Sequence, residues 1–463
     1  MKTALVFIMI TCTGYFLAIF KGPFWGLLAY ANIYFNTPDQ KFNWWASYIP
    51  DLRWSLISSA VLLISLIIYR DKLSKHKFRS AHWMFVFSLL TIIITYTRAV
   101  HPEDAKIHTY MLVTFCITVF FIIKSLPKFE QLRGFLLSII VFSGILSLRA
   151  FLEGKRIHAR LENFGPSDAF SSNEFGILLA SIIPLLIPFL LRGKWYERAI
   201  CILALPFLLN AFILCNSRGA FVSFVFSIFY VFCLVANKKV KKYLLIAAIL
   251  VVPLMLYLSD TYFIERISTL WKYDLNAEES LNKLSTGRIE IWRHSLDMAK
   301  DYPLGAGPDG FRELSRFYMP VEILTFHDGA DYGVRSAHNS YLQVLVEQGI
   351  LGLCIFLIIC FYTMYLLWRS AQKTKAMNMS GTFLDLCCVS FNMSFACSMM
   401  GGLFGSQVYY EFFWWQVALS IVTYSFIDNI DMDNESSESP MDLAQVSQFI
   451  SKESKITNYF NAH

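Results

Sequence analysis

Long apolar runs recur along almost the whole sequence. A helix needs about 20 apolar residues to cross the hydrocarbon core of a bilayer. Twelve apolar runs are predicted to span the membrane. A thirteenth apolar segment, residues 24–35, is short and follows Lys21-Gly22-Pro23, so we predict an interfacial or re-entrant element there. The pattern predicts an all-α fold, a polytopic membrane bundle of about 12 transmembrane helices with a large periplasmic loop that contains short helices. The predicted spans are residues 4–20, 54–69, 83–97, 110–123, 135–151, 175–191, 199–215, 220–236, 243–258, 342–368, 383–404 and 412–427.

Composition supports a chain that is solvated mainly by lipid. Hydrophobic residues make up 56% of its 463 residues and charged residues only 16%, whereas soluble domains carry about 25% charged residues. No long stretch has the composition of a soluble domain, so the sequence excludes two or more separate soluble domains. All ten cysteines lie in apolar runs, and we expect neither a disulfide framework nor a metal site or other cofactor.

The distribution of positive charge predicts the orientation in the membrane. Five basic connections fall at every second turn of the chain, as expected of cytoplasmic loops. If residues 24–35 do not cross the membrane, the loops alternate regularly between its two sides and both termini lie in the cytoplasm. We predict a transmembrane domain over residues 1–427 and a polar, acidic, disordered cytoplasmic tail over residues 428–463. The basic connections are residues 70–79, 124–133, 192–198, 238–242 and 369–375.

Three loops lie on the predicted extracytoplasmic face: residues 152–174, 216–219 and 259–337. Within the longest, residues 288–300 have the apolar spacing of a helix that lies on the membrane surface or caps the bundle. A turn-rich segment follows, which we interpret as a loop, or alternatively as backbone that approaches a sugar closely. The apolar face of the helix consists of Ile289, Trp292, Leu296 and Ala299, and the turn-rich segment contains Pro303, Gly305, Gly307 and Gly310.

Three polar residues on this face are candidates for chemistry. Arg218 lies in a tight link between two apolar runs. It is either a snorkelling interfacial arginine or an anion clamp whose guanidinium matches phosphate oxygens. Gly219, which has no side chain, would let a ligand come close. His338 is either an interfacial polar residue or a general base, and Asn339 or Ser340 caps the helix that follows it. Arg288 stands in an ordinary helix start that could also hold a diphosphate.

The sequence motifs around these residues resemble the bacterial O-antigen ligase and O-antigen polymerase family. The likeness rests on Asn-Ser-Arg-Gly-Ala from residue 216, Gly-Arg-x-x-x-Trp from residue 287 and His-Asn-Ser from residue 338. It also includes residues 163–176 and the segment Asp-Tyr-Pro-Leu-Gly-Ala-Gly-Pro-Asp-Gly-Phe from residue 301, and it covers roughly residues 160–355. This version looks most like the putative O-glycosylation ligases of exosortase-associated type.

The resemblance implies a glycosyltransferase of the bacterial inner membrane that works without a metal and inverts the anomeric centre. The donor would be an undecaprenyl-diphosphate-linked glycan, and the acceptor a hydroxyl of a glycolipid, a glycan or a protein. Membrane lipid would be a partner, nucleic acid would not, and the active site would be periplasmic. The implied catalytic residues are His338, Arg288 and Arg218, and the implied substrate-binding residues are Arg160, Arg266, Asn173 and Asn339.

Two further polar residues lie close to His338 in the sequence. Arg335, near His338, is either a ligand contact or, as we favour, a solvated loop residue. Glu347 lies about two and a half turns into a span after His338, and we expect it to make a structural hydrogen bond inside the bundle.

Other functions remain open at the level of sequence. A polymerase of the same family shares the motifs and the diphosphate chemistry with a ligase. A transporter of lipid-linked glycans would place its polar site near the bilayer midplane, often on repeated halves, and no repeat is visible here. A membrane-embedded acyltransferase would use the histidine but gives no role to Arg218 and Arg288.

Overall fold

The computed structural model is a bundle of long helices. It describes residues 2–39, 43–154, 156–157, 160–235, 288–324 and 333–436, together with scattered positions between residues 238 and 253. Eight helices within these ranges are long and apolar enough to cross a membrane, and two shorter apolar helices accompany them. The prediction of an all-α polytopic bundle is confirmed.

The first half of the chain forms ten helices, α1 to α10. A one-turn 3₁₀-helix at Ile183–Leu186 joins α7 to α8, so that these two form one interrupted span, and a π-helical turn at Val231–Val235 extends α10. The helices are Lys2–Lys21, Pro23–Phe35, Trp54–Ile68, Ala81–Thr97, Pro102–Ser125, Phe129–Glu153, Ser172–Ile182, Ile187–Arg192, Trp195–Leu214 and Arg218–Tyr230.

The remaining described α-helices are α11 to α15, and a small hairpin and short 3₁₀-helices complete the regular elements. The two strands of the hairpin, β1 (Arg156–Ile157) and β2 (Arg160–Leu161), pair antiparallel in the loop after α6. Eleven of the twelve predicted spans coincide with helices, and residues 243–258 lie almost entirely outside the described residues. The helices are Arg288–Asp301, Gly310–Tyr318, Ser340–Ala376, Phe383–Gly401 and Glu411–Ser436.

The basic connections meet at one end of the bundle, which we call the basic end. Lys124 donates from Nζ to the carbonyl oxygen of Ser74 over 3.2 Å, which joins the first two connections. Arg79 and Lys373 both pair with the carboxylate of Asp428, at 2.9 and 2.7 Å. We call the other end, which carries the loops at residues 43–53, 154–171 and 215–217, the loop end.

Helices α1 and α3 run in the same direction and α2 returns between them. The hydroxyl of Ser65 donates to the carbonyl oxygen of Ala18 over 2.6 Å, so α1 ends where α3 ends, at the basic end. The amide of Asn32 in α2 donates to the hydroxyl of Thr11 in α1 over 3.1 Å. Near its start, α1 packs Phe7 against Trp45, whose exposed fraction is 0%.

This arrangement corrects the prediction for residues 24–35. They form α2, most of which is buried against α1, α3 and α6, so they are not an interfacial or re-entrant element. Because α2 takes the chain back to the loop end, α1 begins at that end, whereas α15 finishes at the basic end beside Arg79. The prediction that both termini share one side is therefore wrong.

The C-terminal helix also extends beyond its predicted end. Helix α15 continues from residue 427 to Ser436, and Asp428 and Asp431 both accept ion pairs from Lys373 at 2.7 Å. These pairs stabilise the last turns because Lys373 is only 14% exposed. Residues 437–463 of the predicted tail lie outside the described residues.

The described part of the long loop packs on a break in α13. At Gly349 the helix is interrupted by a backbone conformation with φ of 70°. The segment that begins at Pro303 pairs with this break: Ala306 N–H donates to the carbonyl of Val346, and Ile350 N–H donates to that of Pro303, over 2.9 and 3.0 Å. A Cβ on Gly305 would lie 2.6 Å from the carbonyl oxygen of Glu347. The turn-rich segment is thus a loop, and its close approach is to helix backbone.

The helix predicted for residues 288–300 is present as α11. Ala299 of its predicted apolar face is buried, but the rest of the buried face differs from the predicted one. Ile291, Ser295 and Met298 are buried, whereas Leu296 is 49% exposed. Packing against α13 determines which face of α11 is buried. Apolar spacing alone did not distinguish this face from the neighbouring one. Helix α11 therefore caps the bundle, one of the two positions that we predicted for it.

Candidate functional site

Three helices begin at a capped N-terminus close to one another at the loop end. Ser171 caps α7 by accepting from Glu174 N–H, and Ser217 caps α10 by accepting from Ala220 N–H, over 3.4 and 3.2 Å. Asn339 caps α13, and its Oδ1 accepts from two backbone amides over 3.0 and 3.2 Å. Helix N-termini carry a partial positive charge, so together they favour an anion.

The turn between α14 and α15 holds two of these helix starts together. Ser340, the first residue of α13, donates from its hydroxyl to the carbonyl of Gly405 over 2.7 Å. A Cβ on Gly219, in α10, would lie 2.6 Å from Cβ of Phe404. The close approach at Gly219 is thus to the Phe404 side chain, and the expectation that it leaves room for a ligand is wrong.

His338 lies immediately before the cap of α13 and has a left-handed backbone, with φ of 47°. Burial, followed by the positive charges of Arg288, Arg335 and Arg160, lowers the pKa of His338 to about 4. Its imidazole is therefore neutral at pH 7 and makes no hydrogen bond to another described residue. A neutral imidazole of this kind can accept a proton.

Arg160 is held in place by a hydrogen-bonded bridge to the start of α10. Its Nη2 donates to Oδ1 of Asn173 over 2.9 Å, and its Nε donates to the carbonyl of Cys215 over 3.3 Å. The same Oδ1 of Asn173 also accepts from the hydroxyl of Ser217 over 2.9 Å. Asn173 therefore joins α7, α10 and the loop after α6, and it sets the position of Arg160 next to Arg218.

Arg288 lies beside the Phe404 ring, on which the residue after Arg218 packs. Arg218 is the first residue of α10, directly before the glycine that packs on Phe404. The guanidinium carbon of Arg288 lies 5.9 Å from the centroid of that ring. The structure thus places Arg160 and Arg288 near His338, and α10 starts with Arg218 at the same end of the bundle. Guanidinium groups near helix N-termini suit a doubly charged phosphate ligand.

The other predicted binding residues have different outcomes. Asn339 is 4% exposed, and its side-chain oxygen is occupied by the helix cap described above, so the capping role that we allowed for it is confirmed. Its role as a substrate contact stays a prediction. Arg266 lies outside the described residues.

A cavity of about 390 Å³ opens beside His338 on the side of the long loop. Sequence reasoning missed most of its walls, because they come from five separate segments. Arg335, which we favoured as a solvated loop residue, belongs to these walls and is only partly exposed. Its other polar lining includes His108, Glu174, Asp309, Arg312, Gln343, Tyr409 and Tyr410.

Glu347 is fully buried behind this cavity. Its carboxylate accepts hydrogen bonds from the hydroxyl of Tyr409 and from Nε2 of Gln343, over 2.5 and 3.1 Å. The predicted structural hydrogen bond is confirmed. Its effect is to fix two side chains of the cavity wall.

The fold and the site define a class: a polytopic helical membrane protein with arginines around a histidine, and a cavity beside that histidine, at one end of its bundle. Residues 202–357 match the family described as O-antigen ligase, and this segment contains Arg218, Arg288 and His338. A comparison with curated proteins gives no match.

Proposed function

We propose that this protein is an inner-membrane glycan ligase. It transfers a glycan from an undecaprenyl-diphosphate donor to an acceptor hydroxyl at the extracytoplasmic, or periplasmic, face. The observation that carries the proposal is the approach of three guanidinium groups, those of Arg160, Arg288 and Arg335, to the single imidazole of His338. The positions of Arg218, Arg288 and His338 within the segment that matches the O-antigen ligase family support it.

The arginines hold the diphosphate of the donor. A guanidinium presents paired N–H donors that match phosphate oxygens, and Arg160, Arg218 and Arg288 come from three separate elements. As the bond to the sugar breaks, negative charge grows on the leaving diphosphate, and these groups stabilise it electrostatically. They supply the charge neutralisation that a divalent cation supplies elsewhere, so the transfer is metal-independent.

His338 takes the proton of the acceptor hydroxyl. The acceptor oxygen forms a bond to the anomeric carbon from the side opposite the diphosphate, while the bond between that carbon and the diphosphate oxygen breaks. The electron pair of the broken bond leaves with the diphosphate, and the released proton goes to the imidazole nitrogen. A single displacement of this kind inverts the anomeric centre.

The orientation follows from the basic end of the bundle. If that end is cytoplasmic, as the positive-inside rule requires, the arginines and His338 face the periplasm. The first residues of α1 are then also periplasmic, and the end of α15 is cytoplasmic. A donor whose glycan lies on the outer leaflet can reach such a site without further transport.

The experiment that tests this proposal uses purified full-length protein with an undecaprenyl-diphosphate glycan and candidate acceptors. We expect Arg288→Ala and His338→Ala each to lower transfer by at least about 100-fold, because each removes a group that acts in the transition state. Arg293→Ala is the matched control, since Arg293 is an exposed arginine on the same helix. Transfer should also persist in EDTA.

The outcome also separates the related functions. Near-normal transfer by both variants, with all proteins equally abundant in the membrane, would reject the assigned roles. The anchor of the product distinguishes ligation to a lipid or protein from polymerisation of a glycan. For a transporter, deletion of the gene would leave donor on the cytoplasmic leaflet, whereas a transferase leaves it on the outer leaflet.

A further inference from the structure

The pocket region has two chemically different halves with His338 between them. On one side are Arg160, Arg218 and Arg288, none of which is among the described residues that line the 390 Å³ cavity. On the other side is the cavity itself, with a mixed lining that includes the carboxylates of Glu174 and Asp309. The guanidinium groups of Arg312 and Arg335 also line the cavity, so its charged lining is balanced, and a neutral occupant suits it better than a diphosphate does.

The cavity has a rigid polar wall. Tyr409 and Gln343 are fixed by the buried carboxylate of Glu347, as described above. The ring of His108 packs against that of Tyr409 with centroids 5.0 Å apart. Because these side chains are already ordered, binding of a ligand to them costs little side-chain entropy.

Two uncharged side chains of the cavity lining each have a buried polar atom without a hydrogen bond among the described residues. One is the hydroxyl of Tyr410, a residue that is only 7% exposed, and the other is Oε1 of Gln343. The Tyr410 hydroxyl lies beside the carboxylate of Glu174 without a hydrogen bond of ordinary geometry. Buried polar atoms left unpaired are costly, and both of these belong to residues that line the cavity, so they indicate a polar ligand.

The carboxyl groups of the cavity also indicate which hydrogen-bond donors the ligand carries. Asp309 stands at the start of α12, and burial raises its pKa although His108 and Arg312 oppose the change. A carboxylate accepts hydrogen bonds from hydroxyl or amino groups. A cavity of this size accommodates roughly one or two sugar rings, at the small end of the range for ligand pockets.

We infer that this cavity is the acceptor subsite and that it binds an uncharged or amino-bearing sugar, through Glu174, Asp309, Gln343 and Tyr410. The inference rests on the proposed function, which it extends by naming the acceptor chemistry. The acceptor hydroxyl enters from the cavity side and meets the imidazole of His338, while the donor diphosphate occupies the arginine side. A neutral sugar suits this lining because the two carboxylates are balanced by the guanidinium groups of Arg312 and Arg335, which leaves no excess charge to attract an acidic sugar.

The test compares two probes on the purified full-length protein. Inorganic pyrophosphate reports the arginine side, and a panel of neutral, amino-bearing and uronic-acid oligosaccharides reports the cavity. We expect neutral or amino-bearing members to bind wild-type protein and Tyr410→Phe to weaken that binding about tenfold, the worth of a lost hydrogen bond. Asp309→Asn should weaken it by at least as much. Pyrophosphate binding should be unchanged in both, whereas Arg288→Ala should lose pyrophosphate alone.

A control and the contrary outcomes complete the design. Tyr318→Phe removes a tyrosine hydroxyl from the same loop, where it donates to Asp301 away from the cavity, and it should bind both probes normally. If pyrophosphate binds but no oligosaccharide does, or if uronic acids bind best, the acceptor subsite is refuted. The same holds if Tyr410→Phe leaves sugar binding unchanged. Failure of pyrophosphate alone would instead count against the diphosphate site of the proposed function.

Discussion

At the scale of single residues, His338 differs most from its ordinary behaviour. Three arginines from different segments lie near it, and their positive charges make protonation of its imidazole unfavourable. In the proposed function, Arg160 and Arg288 also hold the diphosphate of the donor, whose negative charge would offset theirs. Binding of the donor is therefore expected to raise the pKa of His338 from about 4 toward the ordinary value for histidine, about 6.5.

This coupling predicts two different pH profiles for the transfer reaction. A base must be neutral to accept a proton, so activity falls as the pH drops through its pKa. The acid limb of kcat/KM for the donor reports the free enzyme and should lie near pH 4. The acid limb of kcat reports the donor complex and should lie at a higher pH. Steady-state kinetics between pH 4 and 8 measure both, and coincident limbs would contradict the coupling.

At the scale of elements, the site depends on where helices start and where one helix breaks. The caps at Ser171, Ser217 and Asn339 fix the first turns of three helices at one end of the bundle. The break in α13 at Gly349 lets the segment after α11 pair with helix backbone, and this pairing anchors the described part of the long loop below the cavity.

Gly349→Ala tests the importance of that break. At φ of 70° and ψ of −173° an alanine is strained, by about 1–3 kcal/mol, and its Cβ would lie 2.5 Å from the carbonyl oxygen of Pro303. We expect a lower melting temperature in detergent and faster proteolysis of the long loop. Gly310→Ala is the control, because this glycine lies in a helix and its added Cβ meets only the Ala306 methyl, at 3.0 Å. Equal melting temperatures for both variants would show that the break is not needed.

At the scale of the whole molecule, the bundle separates its charges. The basic connections lie at one end, and the predicted catalytic groups lie at the other with the beginning of α1. The N- and C-terminal helices therefore place residue 2 and Ser436 at opposite ends.

Epitope tags at the two termini check this orientation. In intact spheroplasts, external protease should remove a tag placed before α1 and should leave a tag placed after residue 463 intact until the cells are lysed. The reason is that α2 crosses back beside α1, so the chain makes one crossing more than the hydropathy pattern suggested. Protection of both tags would show that α1 begins in the cytoplasm after all.

The sequence by itself determined the class of fold and the positions of most helices, because apolar runs long enough to span a bilayer have few alternatives. It also predicted His338, Arg288 and Arg218 as site residues from the motifs around them, and Arg160 and Asn173 through the family resemblance. Only the tertiary structure decided that α2 returns through the bundle, because a 13-residue helix is too short for hydropathy to distinguish a buried crossing from an interfacial one.

The cavity likewise came only from the tertiary structure. Glu174, Asp309, Gln343 and Tyr410 are far apart in the chain, and their meeting depends on how α7, α12, α13 and the turn before α15 pack. Long-range packing of this kind is not encoded in any local pattern, because each of these residues has an ordinary polar environment in its own segment. Local chemistry and the family resemblance therefore predicted the residues of the proposed diphosphate site, and only packing revealed the cavity beside His338.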